Sequence, residues 1–72
     1  MTDEECRQIA NDPEMLQLMD EATLTERYAA QDRAHDATRG LSGDEGTRAL
    51  FTAFKRELRQ ILFRRQTTHG VH

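Results

Sequence analysis

The residues best suited to chemistry in this chain form a short polar cluster near its middle. Asp32, His35 and Asp36 recur at intervals of three and four, so on a helix they share one face. Two carboxylates and an imidazole suit a divalent metal, but a complete site needs a further ligand from another element. Water-exposed helix faces often carry such triplets. We therefore predict no metal site and no bound cofactor.

The other candidates for chemistry stand near the two ends of the chain. Cys6 is the single cysteine, so it cannot form an intramolecular disulfide, and no base or orienting group is identifiable beside it. His69 and His72 lie in a segment that we expect to be a flexible tail, residues 67–72. The sequence therefore predicts a protein that is not an enzyme, with no catalytic residues.

Capping signals predict where the first helices begin. Thr2 followed by Glu5 has the pattern of a capping box and predicts a short helix over about 3–10. Asp12 and Pro13 suit the cap and first position of a second helix, which we expect to continue to residue 39.

Two further signals lie along and beyond this second helix. Thr23–Glu26 also resembles a capping box, so a break or kink there stays an open alternative. Gly40 suits the left-handed residue that ends a helix, and Ser42 begins the next one. The last helix is predicted over about 43–65, where large apolar residues recur at intervals of three and four: Leu50, Phe51, Phe54, Leu58, Ile61 and Leu62.

These elements predict an all-α fold in one domain, residues 1–66. A short turn makes the two long helices, about 13–39 and 43–65, an antiparallel hairpin that the N-terminal helix precedes. The apolar face of the second helix is mostly small. Its members are Met15, Leu18, Met19, Ala22, Ala29 and Ala37, with Leu16, Ala30 and Ala34 at the edge.

The chain is poor in large apolar residues for a fold of this size. Leu, Ile, Val and Phe supply 13 of its 72 residues, just under the ~20% level associated with disorder. A chain this short buries a small fraction of its surface, and neither disulfides nor zinc supplement the core. We therefore expect further apolar surface to be buried against a protein partner or another copy of the chain, most simply in a homodimer.

Three large residues lie off the predicted core faces and are candidate anchors for that contact. Leu24 and Tyr28, four positions apart, face away from Met15 if the second helix is continuous, and Phe63 lies outside the stripe of the last helix. In the alternative, a kink at Thr23–Thr25 turns Leu24 and Tyr28 inward and Phe63 is an ordinary exposed residue.

Charge is divided unevenly along the chain. Residues 1–46 carry twelve acidic and four basic side chains, and residues 47–72 carry one acidic and six basic side chains, for a total of -3. In an antiparallel hairpin these halves attract each other. We predict that Arg56, Arg59 and Arg64 orient a partner. The alternative is a nucleic-acid-associated regulator in which Lys55, Arg65 and these arginines follow phosphates, against which stand the acidic total and the burial of Phe51 and Phe54.

The sequence favours a small non-enzymatic interaction protein: an adaptor, chaperone, inhibitor or regulator that binds by helix-face recognition. The acidic N-terminus has no apolar run typical of a secretory signal, and no stretch is long and apolar enough for a membrane span. We expect a cytoplasmic protein that does not bind membranes.

Overall fold

The computed structural model describes residues 3–70 and contains four helices in this range. They are α1 (Asp3–Ala10), α2 (Pro13–Glu21), α3 (Leu24–Ala37) and α4 (Gly43–Gly70). Helices α3 and α4 form the predicted antiparallel hairpin, and the all-α class is confirmed.

Helix α2 begins with the N-cap and the proline that the sequence predicts. Asp12 is its N-cap, with the side chain accepting a hydrogen bond from the Met15 N–H at 3.1 Å, and Pro13 occupies the first turn. The predicted box that joins Thr2 to Glu5 lies outside the described residues, but α1 itself has the expected bounds.

The prediction of one continuous helix over 13–39 is wrong, because the chain breaks at Ala22 and Thr23. The Thr23 hydroxyl accepts from the Glu26 N–H at 3.1 Å, and the Glu26 carboxylate accepts from the Thr23 N–H at 2.8 Å. This reciprocal capping box gives α3 its own start. The open alternative at Thr23–Glu26 is therefore the correct one.

A turn with two left-handed glycines reverses the chain between α3 and α4. Gly40 has φ 94° and Gly43 has φ 67°, backbone conformations that a Cβ disfavours. Helix α4 starts at Gly43, as predicted, and the Ser42 carbonyl accepts from Gly46 N–H at 3.2 Å. It continues to Gly70 rather than ending near residue 65, so the helix extends into the predicted tail.

The core packs large residues of α4 against small residues of α3. Its buried members among the described residues are Met15, Ala22, Ala30, Ala34, Leu58 and Leu62. Alanines let the two helix axes approach closely, so Leu58 is completely enclosed. Ala29 and Ala37, predicted to face the core, are exposed, because the break at Thr23 changes the phase of α3 relative to α2.

Within the part of the chain that the structure describes, none of the helices has the length and apolar character needed to cross a lipid bilayer.

Candidate partner-binding groove

A groove with a cavity of about 150 Å³ opens between α1, the end of α2, α3 and the first half of α4. That volume is on the order of a site that holds one benzene-sized group. Its apolar wall consists of Ile9, Met19, Leu24, Leu50, Phe51 and Phe54. The two phenylalanines belong to the stripe predicted for the core, and each is only half-buried. The hairpin therefore leaves part of its own apolar stripe open to an occupant.

One face of α3 runs along this groove. Leu24, Tyr28, Gln31 and His35 follow one another at intervals of four, three and four, which places them on one helix face. The stripe covers about 16 Å along the helix axis. It is apolar at the Leu24 end and polar at the His35 end, so an occupant aligned with α3 meets two different environments.

The predicted anchors Leu24 and Tyr28 stand at the edge of the groove. Their exposed fractions are 57% and 60%. The alternative predicted a kink that turns both side chains inward. The break at Thr23 is present, but both side chains remain exposed, so the predicted inward orientation is wrong. They lie where a binding partner can reach them.

Arg27 lines the same groove and was not identified from the sequence. Its Nε atom is buried and has no hydrogen-bond acceptor among the described residues. A buried donor without a partner costs about 1–3 kcal/mol. The spacing of three from Leu24 and four to Gln31 predicts the shared face, but burial of the Nε depends on how α3 packs against its neighbours.

The four predicted residues on α4 lie away from the groove. Successive helix residues are rotated by about 100°, so Phe63 lies roughly 140° around α4 from the buried Leu58. Phe63 is 67% exposed, and Arg56, Arg59 and Arg64 are exposed as well. None of these four residues lines the cavity. The structure thus places Leu24 and Tyr28 on one surface, and Phe63 and the three arginines on another.

Basic residues of α4 are bound to carboxylates on the facing side of the hairpin. Lys55 Nζ lies 2.9 Å from Asp12 Oδ2 and 3.3 Å from Glu14 Oε1. Arg59 donates from Nε to Glu14 Oε2 at 3.0 Å, and its Nη2 contacts the second oxygen of the same carboxylate. The attraction expected between the acidic and basic halves of the chain therefore takes the form of ion pairs at the start of α2.

A second basic residue, Arg65, bridges the break between α2 and α3. Arg65 donates to Glu26 Oε1 at 3.0 Å and to the Glu21 carbonyl at 3.0 Å. Glu26 also completes the capping box of Thr23. One guanidinium therefore holds the end of α2 and the start of α3. Lys55, Arg59 and Arg65 are thus among the cations, predicted to follow phosphates, that are engaged within the fold.

These contacts shift the protonation of the groups involved. The hydrogen bond from Lys55 and that from the Met15 N–H lower the pKa of Asp12 below its ordinary 3.8. Arg59 and then Lys55 lower the pKa of Glu14 below 4.5. Hydrogen bonding to Asp12 and Glu14 raises the pKa of Lys55 above 10.5. The cluster is therefore charged throughout the neutral range.

The residues considered for chemistry are not assembled into a site. Asp32, His35 and Asp36 line a shallow surface depression, and among the side chains that the structure describes no group of three or more His, Cys, Asp or Glu is placed to hold a metal. Cys6 is exposed as a free thiol. The side chain of His69 and the whole of His72 lie outside the described residues.

Comparison of this chain with protein-family models, with curated proteins and with solved structures finds no match in any of the three.

Proposed function

We propose that the chain is a small non-enzymatic interaction protein that binds a protein partner through the groove beside α3. The observation that carries the proposal is the exposure of Leu24 and Tyr28 at the edge of an apolar cavity in a fold whose own core is small. Large residues at such positions are typical anchors for helix-in-groove recognition. Arg56, Arg59, Arg64 and Phe63 stay a predicted second contact surface on α4.

The ion pairs of α4 support a protein partner over nucleic acid. Phosphate binding would have to replace the contacts of Lys55 with Asp12 and Glu14, of Arg59 with Glu14 and of Arg65 with Glu26. It would also leave those carboxylates close to the phosphates, at an electrostatic cost. These ion pairs therefore disfavour phosphate binding by Lys55, Arg59 and Arg65.

Site-specific photo-crosslinking tests the groove in host cells. Tyr28→p-benzoylphenylalanine should capture a partner of one defined mass, and the same replacement at the exposed Gln17 on α2 should not. Adding Leu24→Gln, which keeps α3 helical while removing an anchor, should abolish the capture. Equal capture from positions 28 and 17, or capture that is indifferent to Leu24, contradicts the groove as the binding surface.

Sedimentation of the pure chain over a range of concentrations separates self-association from binding to another protein. A dimer that forms on concentration and is lost with Leu24→Gln assigns the groove to self-association. A monomer at every concentration, together with a crosslinked partner of different mass, assigns it to a second protein.

A further inference from the structure

The charge of the groove differs from that of the chain that builds it. The chain has 13 acidic residues, yet among the residues whose side chains the structure describes, none that lines the cavity is acidic. Arg27 is the one described lining residue with a permanent positive charge, and its buried Nε–H has no acceptor within the described part of the fold. The guanidinium of Arg27 lines the cavity, so a carboxylate of an occupant would pair with its charge in a site where water is partly excluded.

The exposed stripe beside the cavity suits a helix that lies along α3. Leu24, Tyr28, Gln31 and His35 present a straight stripe of about three turns on α3. Phe51 and Phe54 form the opposite wall of the cavity on α4. A helix lying over the mouth of the cavity would place one apolar side chain in it beside Leu24 and Tyr28, with its neighbouring residues one turn away within reach of Arg27.

We infer that the groove binds an acidic amphipathic helix of a protein partner, with an apolar residue in the cavity and an adjacent Asp or Glu paired with Arg27. This inference rests on the proposed function and names the chemistry of the partner. Arg27 is then the residue that determines specificity, because apolar contacts alone discriminate weakly between helices.

A second copy of the chain is a poorer occupant through its most exposed aromatic residue. Phe63 is flanked on α4 by Arg59 and Arg64, which are four positions before it and one after it, and by Arg56 on the same face. Insertion of Phe63 into the groove would bring Arg56 and Arg64 towards Arg27, where like charges repel, whereas Arg59 is already paired with Glu14. The position of Arg27 in the lining therefore favours an acidic segment at this point of the groove.

A selection from a display library of helical peptides tests this inference on the full chain. The peptides are about three turns long, with Leu or Phe fixed on one face and the flanking positions randomised over acidic, basic and neutral polar residues. We expect selected peptides to be enriched in Asp or Glu one turn from an apolar anchor. Replacing that acid with its amide in a synthetic peptide should weaken binding about tenfold or more.

Variants of the chain supply matched controls. Arg27→Met should remove the preference for the acidic peptide over its amide form, and Arg33→Met, on the same helix but outside the groove, should keep it. In ¹H–¹⁵N spectra of the unchanged protein, the Arg27 Nε–H signal should move on addition of the acidic peptide and stay in place with the amide peptide.

The outcomes separate this inference from the proposed function. Peptides that lose affinity with Leu24→Gln but show no acidic preference overturn the pairing with Arg27 and leave the groove as a binding site. Peptides that bind equally well to Leu24→Gln, or a library that yields no binder, count against both. A dimer that holds the groove closed and excludes the peptides assigns the site to a second copy and overturns the acidic partner.

Discussion

At the residue scale, Arg27 is unusual because its Nε is buried without an acceptor among the described residues. A buried donor of this kind is expected to reduce the stability of the fold, and functional sites commonly retain arrangements that do so.

Arg27→Met should therefore raise the free energy of unfolding of the isolated chain by about 1 kcal/mol, because methionine keeps an apolar stem and removes the unsatisfied donor. Urea unfolding followed by circular dichroism measures the change. Arg33→Met, which removes a partly exposed contact with Glu57 at 3.5 Å, should change stability by no more than about 0.5 kcal/mol. Marked destabilisation by Arg27→Met would mean that the guanidinium is satisfied in the free protein.

Asp12 combines two roles at one carboxylate, as the cap of α2 and as the partner of Lys55. Its pKa is lower in the folded chain than its ordinary 3.8, chiefly through the hydrogen bond from Lys55. The resulting stabilisation is present above that ordinary value and is lost as the pH falls through the folded pKa. The raised pKa of Lys55 acts oppositely, and its contribution is lost as the pH rises above 10.5.

Asp12→Asn keeps a capping side chain and removes the charge, so it isolates the ion pair. At neutral pH it should lower the free energy of unfolding by at most about 1 kcal/mol. Below 3.8 the difference from the unchanged chain should shrink, since Asp12 is then increasingly protonated in both folded and unfolded states. Urea titrations at several pH values check this, and a difference that grows on acidification would contradict the assignment.

At the scale of elements, the break between α2 and α3 has the largest consequences. The capping box of Thr23 and Glu26 starts a new helix, so the buried face of α3 does not continue the buried face of α2. Helix α3 packs through Ala30 and Ala34. Arg65 then ties the carbonyl of Glu21 to the Glu26 carboxylate. This junction places Leu24 at the start of α3, where it lines the groove.

Thr23→Ala should destabilise the chain by about 1 kcal/mol, because the first turn of α3 loses its side-chain acceptor. Thr25→Ala is a matched control in the same helical turn, since Thr25 is exposed and alanine favours helix slightly more than threonine does. Thermal unfolding followed by circular dichroism compares the two variants. Equal effects of the two substitutions would argue that the cap does not stabilise α3.

At the scale of the whole molecule, the fold depends on very few enclosed side chains. Among the residues whose burial the structure describes, half of the six buried apolar residues are alanines, and Met15 and Leu58 are the large ones with almost no exposure. In the same set, five large apolar residues remain exposed: Leu16, Leu24, Tyr28, Leu41 and Phe63. A small core beside an open apolar groove is the arrangement expected of a protein that completes its burial on binding.

Leu58→Ala should cost about 2–5 kcal/mol, since it opens a cavity that neighbouring alanines cannot fill. Leu16→Ala removes the same atoms from a side chain that is 47% exposed, and it should cost much less. Urea unfolding of both variants gives the comparison, with loss of helicity at zero urea as the extreme result for Leu58→Ala. Similar small effects at both positions would show that Leu58 is not the centre of the core.

The sequence by itself determined the helical class, the start of α2 at Pro13, the reversal at Gly40 and the attraction between the acidic and basic halves. These features follow from local preferences: a cap, a fixed proline φ, a missing Cβ and the sign of charge along the chain. The sequence also indicated that Leu24 and Tyr28 are exposed, although it did so for a continuous second helix that the structure does not have, and their role as anchors stays a prediction.

Only the tertiary structure decided which face of α3 enters the core, where the groove lies and that Arg27 is left without an acceptor. A local capping signal cannot fix the phase between two helices, because that phase depends on how both pack against α4. The same packing engages Lys55, Arg59 and Arg65 with carboxylates that are far away in the sequence. Burial and pairing depend on what surrounds a side chain, and those surroundings come from residues distant along the chain.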